Sequence, residues 1–345
     1  MSVSWSNGRA VIVSRRGGPE HLRVLETRFP DPAPGSVRMA VQAAGVAYGD
    51  VLLREGLVPK TSYPVTPGYD AVGVVDAVGE GVTSPALGQR VLARTEGRGG
   101  YATHVQVSAD FTVPVPADLE AGALVALPLN YLSAWQMLTR VALTPAEGTV
   151  LVHGAAGGVG SALVELARLR GLRVIGTASA ARLPALTEQG ASAVDRGGDW
   201  VRGVRALAPG GVDTVFDGVG GFTSRRSFAL LAPGGHLVVY GITSGLAGGR
   251  RSPAALARTA AGTLRQSALG LFSKGLGIDG YMSATYVPAH PRRFREDLTE
   301  LVALLQRGAI SPTIAARLPL ERAQEAHRQL AGGVSGKIVL EVAPA

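Results

Sequence analysis

As far as about residue 125 the apolar positions come in short, valine-dense runs, each closed by glycine, proline or charge: "RAVIVS", "SVRMAVQAAGVA", "DAVGVVDAVG", "QRVLA", "YATHVQVS" and "FTVPVP". Runs of this length between turn formers predict strands with tight connections, so this part reads as an antiparallel β domain. From about Leu127 the rhythm changes. Helical spacing now alternates with short apolar runs: "TVLVH", "LRVIGTA", "SAVD", "DTVFDG", "HLVVYG" and, as a sixth, "YMSATYV". That βαβ alternation predicts an α/β fold with a doubly wound parallel sheet, whose ligand crevice lies at the carboxyl ends of the strands. After Pro291, "RRFREDLTELVALLQRGAI" carries the apolar stripe of an amphipathic helix; "ERAQEAHRQLAGG" and a closing strand "GKIVLEV" follow. The closing strand is expected to return to the β-rich domain, making the α/β domain an insertion. The expected layout is residues 1–125 and 287–345 for the β-rich domain and 126–286 for the inserted one.

Composition narrows the classes. A chain of 345 residues, 46% hydrophobic and 17% charged, is long enough for two cores. No apolar run reaches the ~18 residues that span a bilayer. The start, "MSVSWSNGRAVIVSRRGG", lacks the pattern of a secretory signal, so the expected address is cytoplasmic, without membrane attachment. Cysteine is absent, which removes disulfides, thiolate nucleophiles and thiolate metal sites together. The net charge of +8 is spread as single arginines and doublets, not as dense basic blocks with aromatics, so a nucleic-acid partner is not expected.

The stretch Thr149 to Ser179 carries the clearest chemistry. Val150 to Val152 read as a buried strand, Gly160 to Arg170 as an amphipathic helix, and between them stand Gly154, Gly157, Gly158 and Gly160. Glycines at such a junction let backbone N–H groups approach a pyrophosphate, while the helix N-terminus supplies partial positive charge. The spacing Gly154-x-x-Gly157-x-x-Gly160 is a relative of the dinucleotide fingerprint, and its strand–loop–helix–strand setting gives it weight. An acid at the end of the second strand would hold the ribose of NAD. Here Val174 through Arg182 contain none; Thr177 and Ser179 can donate to a 2′-phosphate and Arg182 can pair with it, with Arg196 as a further candidate, so NADPH is expected over NADH. Taken alone, Arg182 could equally be an exposed arginine at a helix start. His153 fits a strand-end filler better than a proton carrier, and no histidine has the companions of a catalytic triad.

Together with "AAGVAYGDVLLREG", "YPVTPGYDAVGVVDAVGEGV", "GQRVLA", "GGYATHVQV", "LNYLSAWQML", "FDGVGG", "LLAPGGHLVVYG" and "GKIVLEV", the glycine loop resembles the medium-chain dehydrogenase/reductase superfamily. The resemblance is to the zinc-independent, quinone-oxidoreductase-like branch and covers essentially the whole chain. It implies a Rossmann domain inserted into a GroES-like β-rich domain, and a homodimer formed edge to edge. It also implies cofactor contacts at Asn130, Ala156, Gly157, Gly158, Val159, Gly160, Thr177, Ser179, Arg182, Arg196, Gly218, Val219, Tyr240, Gly241 and Ile242. Positions that hold ligands in the zinc-dependent branch fall on Ala47, Tyr69 and Asp70, which implies chemistry without zinc. The usual Asn of the quinone-oxidoreductase motif is replaced by Ala47, and a frequent Tyr by Val58. Tyr48 and then Tyr63 are the nearest phenols that could polarise a carbonyl or donate a proton, although Tyr48 could equally pack as part of a wall. The activity implied is metal-free hydride transfer from NADPH to a quinone or an α,β-unsaturated carbonyl. A tailoring reductase with one complex substrate, or a non-catalytic NADPH-binding protein with an RNA, lipid or protein partner, are the alternatives.

Overall fold

The computed structural model describes residues 5–95, 97–142 and 144–343, with the backbone but not the side chain of Ala247. The chain forms two compact units, one of residues 1–132, 248–250 and 287–345, the other of residues 133–247 and 251–286.

In the first unit β1 (Trp5–Val13) and β2 (Leu22–Pro30) form a two-stranded antiparallel ribbon. The sheet that follows contains β3 (Ser36–Val46), β4 (Asp70–Val78), β5 (Arg90–Arg94), β6 (His104–Ser108) and β7 (Thr112–Pro114). Most of these strands coincide with the valine-dense runs of the sequence. β2 was not signalled, because its alternation of charged and apolar residues leaves half its positions exposed, and its nine-residue register with β1 defines it.

The second unit holds β8 (Thr149–His153), β9 (Arg173–Ala178), β10 (Ser192–Asp195), β11 (Val212–Asp217) and β12 (Leu231–Val239). A two-residue hairpin pair, β13 (Leu246–Ala247) and β14 (Arg250–Arg251), precedes β15 (Gly277–Gly280). The parallel sheet runs β10-β9-β8-β11-β12-β15, the doubly wound order in which the chain reverses direction beside β8. Leu151, Ile175, Val215 and Leu237 pack in its core with Trp200 and Phe228 from the covering helices.

The sixth strand is not "YMSATYV". Gly277–Gly280 pairs with His236–Val239, and Tyr281 N adds one further bond to Val239 O at 3.0 Å. The chain then turns into a helix, Ser283–Ala289, in which Tyr286 comes back onto Tyr281 with ring centroids 5.4 Å apart. Aromatic and β-branched residues suggested a strand there, but the ladder to β12 is filled by the preceding glycine-bounded segment.

The chain re-enters the first unit through the helix Pro291–Gln306, β16 (Ile314–Pro319) and β17 (Lys337–Glu341). β17 lies antiparallel to β3, with Ile338 opposite Val46 and Glu341 opposite Ala43, so the last strand does return to the β-rich sheet. Val37, Met39, Val91, Val105, Ile338 and Leu340 form the core against which these strands close.

Candidate active site

Three loops at the carboxyl ends of parallel strands form the site in the second unit. At the end of β8, Gly154 takes φ +65° and Gly157 N donates to Gly154 O at 2.9 Å, after which the helix Gly158–Leu169 begins. A Cβ on Gly160 would stand 2.2 Å from Gly154 O and 2.8 Å from Ala155 Cα. Both neighbours are backbone, so no side chain can take that position without moving the loop. Ala156 is buried, while Gly157, Gly158 and Val159 are half-exposed. Helix geometry leaves the first-turn N–H groups without intrahelical acceptors, and around them a Cβ on Gly154 would meet nothing within 4 Å and one on Gly157 only Gly154 O at 3.2 Å. That cradle fits a pyrophosphate.

The second loop is organised by a carboxylate that the sequence reading did not single out. Asp217, fully buried at the end of β11, accepts from Val219 N at 2.7 Å, Gly220 N at 3.1 Å and Ser224 Oγ at 2.5 Å. Its signal was Asp followed by a glycine-rich turn, the pattern of a side chain that caps its own backbone. Gly218 O in turn accepts from Thr243 N at 3.2 Å, and a Cβ on Gly241 would lie 2.6 Å from that same oxygen. Gly218, Val219, Tyr240, Gly241 and Ile242 are thereby brought together across the ends of β11 and β12. A Cβ on Gly218 would strike the Tyr240 ring at 2.8 Å, and burial together with the Asp217 charge pushes that phenol's pKa up.

At the end of β9 the expected residues separate. Thr177 is 2% exposed, and its hydroxyl lies 2.9 Å from His153 Nδ1. His153 Nε2 lies 2.7 Å from Ser227 Oγ and the ring stands edge-on to Trp200. Burial pulls this imidazole down to about 4, so it is neutral at pH 7 and ties β8, β9 and the helix Phe222–Phe228 together. Thr177 therefore faces the interior. Ser179, Arg182 and Arg196 remain outside: Arg182 N donates to Ser179 O and Arg196 N to Ala178 O, each at 2.8 Å, so the three backbones converge on one strand end.

Asn130 falls in the first unit, 6% exposed, in a π-helical turn over Leu127–Tyr131. The centre of that unit's site is Asp50. This fully buried carboxylate accepts from Ala47 N at 2.8 Å, Gly68 N at 2.8 Å and Tyr101 Oη at 2.9 Å. One side chain thus closes the start of the helix Tyr48–Arg54 and fastens it to the segment before β4. Burial raises its carboxyl to about 7 in spite of those donors. Tyr48 begins the helix half-buried, with its phenol pKa raised by burial. Tyr63 donates its hydroxyl to Leu53 O at 2.6 Å; its proton is committed to a carbonyl, which argues against a proton-donor role. Asp70 forms a buried ion pair with Lys337 Nζ at 2.8 Å, a contact between residues 267 apart in the chain. Gly45 makes room for it, since a Cβ there would meet Asp70 Oδ1 and Lys337 Cε at 2.2 Å.

Comparison with known proteins agrees with this architecture. The alcohol dehydrogenase GroES-like domain matches residues 33–117 and the zinc-binding dehydrogenase family residues 189–340. A quinone oxidoreductase of Lama guanicoe is 30% identical over 352 aligned positions, covering 96% of this chain and 97% of that protein. The chain belongs to the medium-chain dehydrogenase/reductase superfamily. The human synaptic vesicle membrane protein VAT-1 homolog is 33% identical over 344 positions, covering 97% of this chain and 87% of that protein. The solved structure of Escherichia coli quinone oxidoreductase complexed with NADPH superposes with a TM-score of 0.85 at 28% identity, covering 96% of this chain and 99% of that one. An oxidoreductase of the medium-chain dehydrogenase/reductase type is therefore the class of this protein. Among the described residues no helix is long and apolar enough to cross a membrane.

Proposed function

We propose that the protein is an NADPH-dependent oxidoreductase that reduces a quinone or an α,β-unsaturated carbonyl without zinc. The observation that carries this reading is the glycine cradle at β8, where a Cβ on Gly160 would collide with the backbone of the loop. Beside it, the end of β9 presents Ser179, Arg182 and Arg196 and no acid from Val174 through Arg182, a setting that suits a 2′-phosphate and does not repel it. When bound, NADPH supplies the hydride. The chain's own work is to bind and orient: backbone N–H groups of Gly157 to Gly160 hold the pyrophosphate, Arg182 and Arg196 hold the adenosine end, and Gly218, Val219, Tyr240, Gly241 and Ile242 line the nicotinamide end. Asn130 and Ala156 complete the set that the resemblance implies. At the positions of the zinc-dependent branch, Ala47 offers no ligand atom and Asp70 is engaged by Lys337. A cytoplasmic homodimer is part of the proposal; β15 is the terminal strand of the parallel sheet, and Leu269, Phe272 and Met282 near it are exposed.

The test is NADPH oxidation followed by the loss of reduced-nicotinamide absorbance with a panel of quinones and enones, with and without a chelator. Turnover that a chelator leaves unchanged is the expected result. Absence of turnover with every acceptor, or a preference for NADH, overturns the proposal. Turnover of one complex enone with silence on quinones moves the reading to a dedicated tailoring reductase, whose specialised pocket Ala47 and Val58 fit as well as they fit weak quinone activity.

A further inference from the structure

The parallel sheet of the second unit carries a ligand-sized feature at the end opposite its cofactor loops. Where β12 begins, and just before β15, a cavity of about 1020 Å³ opens beside the helix Phe222–Phe228. Its frame is backbone. Gly234 N donates to Gly275 O at 2.8 Å, which ties the start of β12 to the end of the helix Ala268–Lys274. Gly262 presses on the start of the other helix, since a Cβ there would meet Phe222 N at 2.4 Å. Phe228 lines the cavity from the core of the sheet, and Leu231, Leu264 and Leu276 line it while packing against that core, so the apolar wall is continuous with it.

The charged lining has one sign. Arg225, Arg265 and Lys274 line the cavity with Thr263 and Gln266, and among the described residues no Asp or Glu does. Lys274 Nζ lies over the Phe228 ring, 5.8 Å from its centroid, which holds this cation against the apolar wall. The adjacent Arg226 is engaged elsewhere: it pairs with Asp199 at 4.0 Å and stands over Trp200. Among the described residues no ion pair engages Arg225, Arg265 or Lys274. Like charges on one cavity repel one another, and an anion among them relieves that repulsion. The apolar wall is stabilised by contact with carbon. A bare inorganic anion would leave that wall in water, and a neutral apolar molecule would leave the charges uncompensated. A molecule with both parts answers both, and the volume is on the scale of small-molecule sites, roughly 300–1,000 Å³.

We propose that this cavity is a second binding site, for an amphipathic carboxylate whose apolar chain lies on Phe228, Leu231, Leu264 and Leu276 and whose anionic head sits among Arg225, Arg265 and Lys274. The inference is independent of the hydride-transfer reading, because no residue lining the cavity belongs to the cofactor set.

The experiment titrates the whole chain, in the presence of NADP+, with decanoate, decanol and decylamine by calorimetry at about pH 8, where the acid is ionised and the amine protonated. Wild type is expected to bind decanoate at least about tenfold more tightly than either of the others. The double variant Arg265→Glu/Lys274→Glu, at two exposed positions, is expected to weaken decanoate at least about tenfold, with melting temperature and NADPH affinity unchanged. Because the chain carries a net charge of +8, Arg202→Glu/Arg205→Glu makes the same change of charge on the exposed face of the helix Trp200–Leu207, and is expected to alter decanoate affinity less than about threefold. An equal loss in both double variants reduces the effect to net charge and overturns the proposal. So does wild type that does not bind decanoate, wild type that binds decylamine as tightly, or an Arg265→Glu/Lys274→Glu protein with decanoate affinity unchanged. If that last protein also changes its oligomeric state in analytical ultracentrifugation, the face is a contact between copies of the chain and not a ligand site.

Discussion

The glycine positions of the second unit's loops work through backbone, whereas the Asp50 and Asp70 networks of the first unit work through side chains. Around β8 and β11 the close approach of the backbone is possible because Gly160 and Gly241 carry no Cβ, and a methyl group at either would press on a backbone oxygen, at 2.2 and 2.6 Å. Around β3 and β4 the corresponding work is done by Asp50, Tyr101, Asp70 and Lys337, all buried and joined to partners distant in sequence. Backbone cradles suit a ligand that many proteins share, a pyrophosphate, and leave their mark as glycines at fixed spacing. Buried side-chain networks can be rewired residue by residue, and they leave no comparable mark in the sequence.

The contrast breaks most sharply at Lys337. Lys337→Met leaves Asp70 as an uncompensated carboxylate in the core, and removing one partner of a buried pair typically costs about 3–5 kcal/mol. Urea unfolding is expected to show a loss of that size, largely recovered when Asp70→Leu is added, because two well-packed apolar residues can replace a buried pair. A Lys337→Met protein as stable as wild type would show that the pair is not what holds β17 to this part of the sheet.

On the backbone side, Gly160→Ala is the test. The added Cβ meets Gly154 O at 2.2 Å, so the loop must open or the helix start must withdraw. NADPH affinity, read by the quenching of tryptophan fluorescence, is expected to fall on the order of 100-fold, about 2.7 kcal/mol. A structural loss of about 1–3 kcal/mol accompanies the overpacking. Unchanged affinity would mean that this loop does not hold the pyrophosphate.

What was legible in the sequence follows the same division. The six valine-dense runs of the first unit each fall on a strand, and "TVLVH" through "HLVVYG" mark β8 to β12, since burial on one or both sheet faces imposes periodic apolar residues. The glycine loop was legible because glycine is the one residue whose absence of a side chain is itself a signal. Asp217 could have been read from its turn, but the partners of Asp50 and Asp70 could not. Tyr101 lies 51 residues from Asp50 and Lys337 lies 267 from Asp70, so only the register of the folded sheet brings them together. "YMSATYV" misled for a related reason: the ladder to β12 is filled by Gly277–Gly280, and the chain beyond it turns into the helix Ser283–Ala289.

The finest test lies at the end of β9, where one strand carries both an inward and an outward candidate. Thr177 and Ser179 were read together as donors to a 2′-phosphate, but Thr177 is 2% exposed and its hydroxyl is engaged with His153, whereas Ser179, Arg182 and Arg196 gather at the surface. Arg182→Ala is therefore expected to lower the ratio of kcat/KM for NADPH over NADH about tenfold, ~1.4 kcal/mol, the scale of one partly exposed charge-assisted contact. Thr177→Val is expected to move that ratio by less than about twofold, because the hydroxyl it removes faces His153 and not the ligand. It should instead appear in thermal stability, as the loss of one buried hydrogen bond worth about 1 kcal/mol. If Thr177→Val shifted cofactor preference as far as Arg182→Ala does, the hydroxyl would have to turn outward when the cofactor binds, and the division between an inward Thr177 and an outward Ser179 would fail.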